Sequence, residues 1–477
     1  MFPYLRHHSE NISMEHFDLI VIGSGPAGEK GAAQAAYFNK RVAVIEKAPN
    51  VGGARTNTGA LPSKTLRETA LYFSGLRQRE LYGIDYSLKE DFRVAGFTYR
   101  KQTVIENEIR LIGDNLTRHN IQLIQGEARL KDANTVIVKS AQDETTYTAD
   151  IILIATGSSP FRPPGIPFDY KFIYDSDGIL NIERIPKTML VVGGGVIGTE
   201  YASIFTAFGV EVTLVELGAR ILPFLDTEIV ERLKQQLEAR GLKFIFNTKL
   251  TDIQTLDDHV RATLQNGSSY EFDIALIAAG RQSNIAGLGL EGVGVKLGNR
   301  GAVLVNEKYQ TSVPNIYAAG DVIGFPALAS TSMEQARVAM VHAFNLHYKE
   351  KVSSVLPLAF YCVPEISSVG LSEDECKTKN IPHLVGSASY ENSVRGQIIG
   401  DLKGMIKLIF NPHDKRLLGA HIIGEQASEL IHIAVHAIAR GETIDTFIEA
   451  VYNFPTLSDL YKYAAYDGLG KLQKWFD

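Results

Sequence analysis

A lysine near the predicted start of a helix closes a glycine-rich segment of the chain. The segment runs from Gly52 to Lys64 and reads GGARTNTGALPSK. It follows a predicted strand that ends at Glu46, and its glycines let the backbone approach a flat group closely or adopt positive φ. Pro62 is typical of the first turn of a helix, where the helix dipole disfavours a cation. Lys64 is therefore expected either to pair with a carboxylate or to be a solvated surface lysine.

An earlier glycine motif has the surroundings of a dinucleotide-binding turn. Gly23–Gly28 reads GSGPAG, directly follows the apolar run Asp18–Ile22 and opens an alanine-rich helical segment. A second apolar run, Arg41–Ile45, ends at Glu46, about 20 residues beyond the first glycines. Such glycines permit a tight turn and close approach to a pyrophosphate at the helix N-terminus, and the acid can accept from a ribose hydroxyl. The sequence therefore predicts a dinucleotide site here.

The same pattern returns later in the chain. Thr188–Val192 is a predicted strand, Gly193–Gly198 reads GGGVIG, and the next strand, Glu211–Val215, is followed by Glu216. Two such sites imply two bound nucleotides, and an oxidoreductase can use them to move a hydride from one to the other.

The order of elements predicts how the domains are arranged. The other predicted elements are helices Ser63–Leu76, Thr98–His119 and Ser428–Ala439, and strands Ile121–Ile124, Thr135–Val138, Thr145–Ala149, Ile151–Ala155, Ile274–Ala278, Met405–Phe410 and Leu417–Ile422. Asn315–Asp321 reads as a strand and turn that return to the first fold. We predict an α/β chain with two Rossmann-like domains, the second inserted in the first, and a C-terminal α+β domain. The predicted boundaries are 1–16 for an N-terminal extension, 17–160 and 283–350 for the first nucleotide domain, 161–282 for the second, and 351–477 for the C-terminal domain.

Composition narrows the class of protein. The 477 residues carry a net charge of −6, so no basic excess is available for nucleic acid. No apolar run is long enough to span a bilayer, and no secretory segment is evident. Cys362 and Cys376 form no CxxC motif, which disfavours structural disulfides and a cysteine-based metal site. His432 and His436 lack a third ligand at suitable spacing, so no metal site is predicted. A cytoplasmic protein is expected.

These motifs resemble those of the flavoprotein pyridine nucleotide–disulfide oxidoreductases. The resemblance extends from about Phe17 through GSGPAG, GGxxxNxGxxPSK, GGGVIGTEYAS, YAAGDV and the segment Tyr452–Thr456. It implies FAD and NAD(P) as cofactors, the first domain binding FAD, and a homodimer or larger homo-oligomer formed through the C-terminal domain. It also implies that Lys64 lies beside flavin N5 and pairs with Glu200. The residues implied for FAD are Gly23, Ser24, Gly25, Pro26, Ala27, Gly28, Glu46, Lys47, Gly52, Gly53, Ala128, Thr156, Gly157, Asp321 and Ala329. Those implied for the nicotinamide nucleotide are Gly193, Gly195, Ile197, Gly198, Glu216, Gly280 and Arg281.

Two departures from the family pattern bear on function. Arg55 and Ala60 stand where the disulfide reductases have cysteines, and Phe454 stands where they have a histidine. Without a thiol pair and a base, a dithiol relay is excluded. One branch of the family, the soluble FAD-dependent pyridine nucleotide transhydrogenases, works without this relay, although its members keep a cysteine at the Arg55 position. The resemblance thus implies ping-pong hydride transfer between NAD(P)H and NAD(P) through the flavin. Arg55, where the chain departs from the family, is interpreted as a fixed cation that stabilises reduced flavin or steers an anionic nucleotide.

Two other functions remain open at the level of sequence. One is an NAD(P)H-dependent quinone or oxygen reductase of the same fold, and the other is a non-catalytic FAD- and NADH-binding redox sensor. Glu216 favours NAD, because a carboxylate there repels a 2′-phosphate. Arg220 is close enough in sequence to offset this repulsion, depending on its orientation.

Overall fold

A computed structural model describes residues 14–73 and 94–476 of the chain. Most of the predicted N-terminal extension and the last residues of the predicted helix Ser63–Leu76 lie outside these ranges. Within them the helices are α1 (Pro26–Tyr37), α2 (Gly53–Asn57), α3 (Ala60–Phe73), α4 (Val94–Arg118), α5 (Val196–Ala207), α6 (Thr227–Ala239), α7 (Ala329–Ala343), α8 (Glu373–Thr378), α9 (Val394–Ile399), α10 (Ala427–Arg440), α11 (Asp445–Glu449) and α12 (Leu460–Phe476).

The strands are interspersed with these helices along the chain. They are β1 (Glu15–Ile22), β2 (Val42–Glu46), β3 (Gln122–Gln125), β4 (Glu127–Leu130), β5 (Thr135–Lys139), β6 (Glu144–Ile154), β7 (Ser158–Pro160), β8 (Ile173–Tyr174), β9 (Thr188–Val192), β10 (Glu211–Val215), β11 (Lys243–Ile245), β12 (Leu250–Thr255), β13 (Val260–Leu264), β14 (Ser269–Phe272), β15 (Ile274–Ile277), β16 (Arg281–Ser283), β17 (Ile316–Ala318), β18 (Leu358–Phe360), β19 (Ile366–Gly370), β20 (Leu384–Ser389), β21 (Met405–Phe410) and β22 (Leu417–Ile423).

The described residues divide into two compact units. The first takes its residues from Met1–Asn57, Ile105–Ser159 and Arg281–Val352, and the second takes them from Thr58–Val104, Pro160–Gly280 and Ser353–Asp477. The predicted boundaries at 160, 282 and 350 fall within two residues of these divisions. The segment after Asn57, predicted as part of the first nucleotide domain, groups with the second unit. The domain boundaries themselves remain a prediction.

The first unit is built on a sheet whose strands follow the order β3-β2-β1-β6-β5-β4, with β17 paired to β6. The strands β3, β2, β1, β6 and β17 pair in parallel. Apolar residues of β1, β2, β6 and β17 are buried in cores on both faces of the sheet. The return of β17 to β6 confirms that the chain re-enters the first fold after an insertion.

The second unit contains a comparable parallel sheet and an antiparallel one. Strands β11-β10-β9-β15-β8 form the parallel sheet, with cores on both faces. Strands β18-β19-β22-β21-β20 form an antiparallel sheet that α10 and α12 cover. The predicted fold class, two Rossmann-like folds followed by an α+β domain, is confirmed.

Three local predictions are corrected by the structure. Thr145–Ala149 and Ile151–Ala155 belong to the one strand β6, which stays extended through Asp150 while its pairing passes from β5 to β17. Strand β4 is absent from the sequence prediction, and its partner β5 stabilises it. Helix α3 begins at Ala60 rather than Ser63, so Lys64 is its fifth residue and lies beyond the first turn.

Candidate nucleotide-binding and hydride-transfer site

The three glycines of the first motif have different steric surroundings. Gly23 has φ +102°, and a Cβ added there would lie 2.5 Å from the Ala155 carbonyl oxygen. A Cβ on Gly28 would lie 1.8 Å from the Gly23 carbonyl oxygen. At Gly25 the nearest contact of an added Cβ is the Cα of Gly53, at 3.8 Å. The outer glycines are thus required by the protein's own backbone, whereas the middle one leaves space at the N-terminus of α1, as a bound pyrophosphate requires.

Glu46 fastens this turn to the end of β2. Its Oε2 accepts hydrogen bonds from the backbone nitrogen of Ser24 at 2.9 Å and from the Ser24 hydroxyl at 2.7 Å. Its Oε1 accepts from the backbone nitrogen of Ala48 at 2.8 Å. The predicted bond to a ribose hydroxyl would have to use the acceptor capacity that remains on Oε1.

The turn that ends β6 is braced by a residue absent from the sequence prediction. Gly157 has φ +68°, and its carbonyl accepts from the backbone nitrogen of Asn284 at 3.0 Å. The Thr156 hydroxyl donates to the Asn284 carbonyl at 2.7 Å, and the Asn284 amide donates to the Thr156 carbonyl at 3.0 Å. No nearby sequence motif predicts this role for Asn284, because the role depends on the pairing of β7 with β16.

Asp321 and Arg281 both form hydrogen bonds with the Ser158 hydroxyl. The Ser158 hydroxyl donates to Asp321 Oδ2 at 2.7 Å, and Arg281 Nε donates to the Ser158 hydroxyl at 2.8 Å. Arg281, predicted among the nicotinamide-nucleotide residues, therefore lies in the first unit together with the FAD residues. The remaining predicted FAD residues occupy varied positions: Pro26 is the first residue of α1, Ala27 is buried, Lys47 is exposed, Ala128 is buried in β4, and Ala329 is the first residue of α7.

The second glycine turn repeats the arrangement of the first. Gly193 has φ +106°, and an added Cβ would lie 2.5 Å from the Ala278 carbonyl oxygen, while one on Gly198 would lie 1.9 Å from the Gly193 carbonyl oxygen. Around Gly195, no described atom beyond its chain neighbours comes within 4 Å of an added Cβ. Ile197, half-buried, is the second residue of α5, and Gly280 has φ +104° at the end of the facing turn. The open middle glycine again provides room for a pyrophosphate.

Glu216 and Arg220 have well-defined partners on the loop after β10. Glu216 Oε2 accepts from the backbone nitrogen of Gly194 at 2.5 Å, and its Oε1 accepts from that of Gly218 at 2.6 Å. The Arg220 guanidinium donates to the Pro223 carbonyl at 2.6 Å and to the hydroxyl of Thr227. Arg220 is thus engaged by the loop that leads into α6, and it forms no ion pair with Glu216. Its orientation, left open by the sequence, gives no support for offsetting the Glu216 charge.

Lys64 and Glu200 form a close ion pair in the second unit. Lys64 Nζ lies 2.7 Å from Glu200 Oε2, and the Glu200 side chain is 6% exposed. The helices α3 and α5 that carry them pack together through a shared apolar core that includes Leu66 and Ala70. Glu200 Oε1 also accepts from the backbone nitrogen of Tyr361 at 2.8 Å. Of the alternatives that the sequence left open for Lys64, the structure shows the carboxylate partner.

Comparison with known proteins identifies the family. Residues 17–343 match the model of the pyridine nucleotide-disulphide oxidoreductases, and residues 356–465 match that family's dimerisation domain. The chain belongs to this family. The family match covers both glycine turns, Lys64 and Glu200 in one segment, and it confirms the resemblance drawn from the motifs.

Curated relatives and solved structures extend the comparison over nearly the whole chain. The soluble pyridine nucleotide transhydrogenase of Mycobacterium tuberculosis is 42% identical over 462 residues, covering 96% of this chain and 98% of the relative. That of Marinobacter nauticus is 37% identical over 460 residues, covering 96% and 99%. Among solved structures, the Cu(II) complex of the HOCl-induced flavoprotein disulfide reductase RclA of Escherichia coli has a TM-score of 0.85 at 28% identity, covering 94% and 99%. LpdA of Mycobacterium tuberculosis has a TM-score of 0.87 at 26% identity, covering 95% and 99%.

Arg55 occupies the thiol position of the family loop and is held by an acidic partner. It lies in α2, two residues after Gly53, and its guanidinium donates to Glu108 on α4. Its side chain is 15% exposed, and its Nε is buried without a hydrogen-bond partner among the described residues. The structure therefore pairs the predicted fixed cation with a carboxylate, which reduces its net field on an anionic nucleotide.

The two cysteines are unsuited to thiol redox chemistry. Cys362 and Cys376 are both buried and unbridged. Burial raises the pKa of each thiol, so both stay protonated near neutral pH. Among the described residues, no group of three or more histidine, cysteine or acidic side chains is arranged to hold a metal ion. The described helices include none that is both long enough and apolar enough to cross a membrane.

Proposed function

We propose that this protein is an FAD-dependent pyridine nucleotide transhydrogenase that moves hydride between NAD(P)H and NAD(P) without a disulfide relay. The observation that carries the proposal is identity of 37–42% over 96% of the chain to soluble transhydrogenases, in a chain with no cysteine in the loop from Gly52 to Lys64. Both glycine turns leave room at their middle glycines, which supports two dinucleotide sites. The match to the dimerisation domain supports a homodimer.

The chain's own residues suit the binding of both nucleotides. Gly25 and Gly195 open the N-termini of α1 and α5 to pyrophosphates, and Glu46 and Glu216 hold the turns rigid. FAD, when bound, supplies a ring that accepts a hydride from one nicotinamide and gives it to another. The Lys64 ammonium, oriented by Glu200, supplies positive charge for the anionic form of that ring and keeps the site preorganised.

Hydride balance requires one nucleotide to be oxidised as the other is reduced. A reduced nicotinamide nucleotide gives up two electrons and a proton as hydride and leaves as NAD(P). An oxidised nicotinamide nucleotide then enters and accepts that hydride. The reduced and the oxidised nicotinamide nucleotide bind in succession at the Gly193–Gly198 turn. We therefore expect ping-pong kinetics. Substrates of this kind belong to the cytoplasmic nucleotide pool, so we assign the protein to the cytoplasm.

Anaerobic transfer to a spectrally distinct nucleotide tests this function. The holoenzyme is reduced with NADPH, freed of nucleotide, and mixed with thionicotinamide adenine dinucleotide, whose reduced form absorbs at a separate wavelength. We expect rapid reduction of the analogue together with reoxidation of the flavin. Slow transfer to the analogue with rapid reoxidation by a quinone would overturn the proposal in favour of a quinone reductase.

The absence of thiols in the loop has its own spectral test. Two-electron reduction should yield fully reduced flavin without the long-wavelength band that a thiolate gives beside oxidised flavin. Observation of that band would contradict the thiol-free mechanism.

A further inference from the structure

Tyr361 contacts both members of the Lys64–Glu200 pair. Its backbone nitrogen donates to Glu200 Oε1 at 2.8 Å, and Lys64 Nζ lies 4.9 Å from the centre of its ring. A cation over an aromatic face is attracted by the ring's quadrupole, more strongly where water is partly excluded. Glu200 is buried and Lys64 is 30% exposed, so this contact is shielded from solvent on one side.

The side chain of Tyr361 lies near polar residues from the C-terminal part of the chain. Ser428, in the first turn of α10, donates its hydroxyl to Glu365 Oε2 at 2.9 Å. Burial, reinforced by nearby carboxylates, raises the pKa of Tyr361. The phenol is therefore neutral at physiological pH, and the ring face stays attractive to a cation.

The contacts then return to the helix that carries Lys64. Glu365 Oε1 lies 3.1 Å from Arg67 Nη1, and Arg67 is one turn beyond Lys64 on α3. Arg67 Nε also donates to the Cys362 carbonyl, next to Tyr361, at 2.9 Å. The Arg67 side chain is 3% exposed. Arg67 on α3 is thus joined to the segment that carries Tyr361 by buried charge-assisted bonds, which are strong and direction-dependent.

We propose that Tyr361 is a positioning residue that fixes the Lys64 ammonium for hydride transfer. Its ring restrains the cation, and its backbone nitrogen restrains the Glu200 carboxylate. The importance of this for turnover rests on the proposed transhydrogenase function, whereas the restraint on Lys64 is independent of it. No local signal in the sequence marks Tyr361, because its partners lie on α3 and α5.

Chemical labelling of Lys64 tests the restraint directly. The holoenzyme is treated with formaldehyde and cyanoborohydride, and dimethylation of Lys64 is followed by peptide mass spectrometry. Tyr361→Leu should accelerate labelling by about threefold to thirtyfold, the range that loss of a partly buried cation–π contact gives. Tyr361→Phe should label within about twofold of the wild type, because it keeps the ring. Phe172→Leu is the matched control, since it removes a ring 4.7 Å from Lys171 in the same unit and should leave Lys64 unchanged.

Kinetics and potential separate a positioning role from a general loss of structure. In Tyr361→Leu the limiting rate of flavin reduction by NADH should fall by about tenfold while the KM for NADH stays within about twofold. The flavin midpoint potential should become more negative, and Tyr361→Phe should restore both properties. Tyr361→Met also removes the ring but fills a similar volume, so it should accelerate Lys64 labelling even if Tyr361→Leu folds poorly.

Unchanged Lys64 labelling in both Tyr361→Leu and Tyr361→Met would overturn the proposal. So would equal damage in Tyr361→Phe and Tyr361→Leu, because the effect would then not belong to the ring. A wild-type enzyme whose flavin NADH cannot reduce would refute the transhydrogenase function alone, and increased Lys64 labelling in the variants would still support the restraint.

Discussion

At the scale of single residues, the carboxylates of Glu46 and Glu216 hold the two glycine turns. Of the two, only Glu216 is expected to affect whether NAD(H) or NADP(H) binds. Glu46 and Glu216 both accept hydrogen bonds from the backbone of their own turns. Glu216 follows the strand that leads to the second site, and Arg220 is engaged by loop carbonyls. Arg220 therefore does not neutralise the Glu216 charge, which supports our proposal that the second site prefers NAD(H) to NADP(H).

Glu216→Gln should shift nucleotide preference toward NADP(H). Removing the negative charge should raise kcat/KM for NADPH relative to NADH by about tenfold, which corresponds to about 1.4 kcal/mol of repulsion relieved. Steady-state kinetics with both nucleotides measures the ratio. Glu211→Gln, an exposed residue at the start of β10, serves as the control. An unchanged ratio would mean that Glu216 does not distinguish the ribose 2′-hydroxyl of NADH from the 2′-phosphate of NADPH.

Arg55 and Glu108 should stabilise the fold unequally. Glu108→Gln leaves a mostly buried guanidinium without its carboxylate, and we expect a loss of about 1–3 kcal/mol in the free energy of unfolding. Arg55→Ala should cost less, because Glu108 is the more exposed partner and can be solvated. Denaturant unfolding of both variants measures the difference, and a larger loss in Arg55→Ala would contradict it. Flavin reduction rates in Arg55→Ala show separately whether the cation acts on the flavin.

At the scale of elements, each Rossmann-like helix starts at a glycine turn whose members have separate tasks. An added Cβ would meet the Ala278 carbonyl oxygen at Gly193 and the Gly193 carbonyl oxygen at Gly198, while Gly195 faces open space. The placement of α3 against α5 has a different origin, because it depends on apolar side chains that pack across the sequence, including Leu66 and Ala70. The turns are thus local features, and the meeting of Lys64 with Glu200 is not.

Alanine substitutions at Gly195 and Gly198 should have opposite consequences. Gly198→Ala places a Cβ 1.9 Å from the Gly193 carbonyl oxygen, so the turn must open and the thermal midpoint should fall by several degrees. Gly195→Ala has room for its Cβ and should unfold like the wild type, but it should raise the KM for NADH by about tenfold, because the methyl group occupies the space for the pyrophosphate. Thermal scans and NADH kinetics of the two variants check this. A Gly195→Ala protein with normal KM would contradict the assignment of this turn.

At the scale of the whole molecule, a buried lysine joins elements from distant parts of the second unit. Lys407 on β21 is 1% exposed and lies 3.0 Å from Asp226 Oδ1 at the start of α6. It also lies 2.7 Å from Glu373 Oε2 on α8. Burial raises the pKa of Glu373, but hydrogen bonds from Lys377 and Lys407 outweigh it and lower that pKa to about 2. This cluster links the sheet of the C-terminal region to the nucleotide-binding fold of the same unit.

The Glu373 carboxylate should make stability depend on pH below 4.5. Its folded pKa lies below the ordinary value of 4.5, so its stabilising contribution is present above pH 4.5 and is lost as pH falls toward 2. Glu373→Gln should therefore be less stable than the wild type at pH 7, with the gap narrowing between pH 4.5 and 2. Urea unfolding across that range measures the gap, and Glu307→Gln, an exposed residue, is the control. A constant gap would show that the Glu373 charge does not contribute.

By itself the sequence determined the features that arise from neighbouring residues. The apolar runs predicted strands of both the parallel and the antiparallel sheets, with β9, β10 and β21 at their observed bounds. Glycine spacing predicted both turns, because backbone sterics act within a few residues. The identities of Arg55 and Ala60 excluded a thiol relay, and the family resemblance named Glu200 as the partner of Lys64.

Only the tertiary structure decided which distant groups meet. The partners in the bond from Tyr361 to Glu200 are 161 residues apart, and the sequence named neither as a partner of the other. Glu108 as the partner of Arg55 and Asn284 as the brace of the Gly157 turn are further contacts of this kind. Such contacts depend on how helices and strands pack across the core. The residues near one partner in the sequence therefore do not indicate which distant residue it contacts.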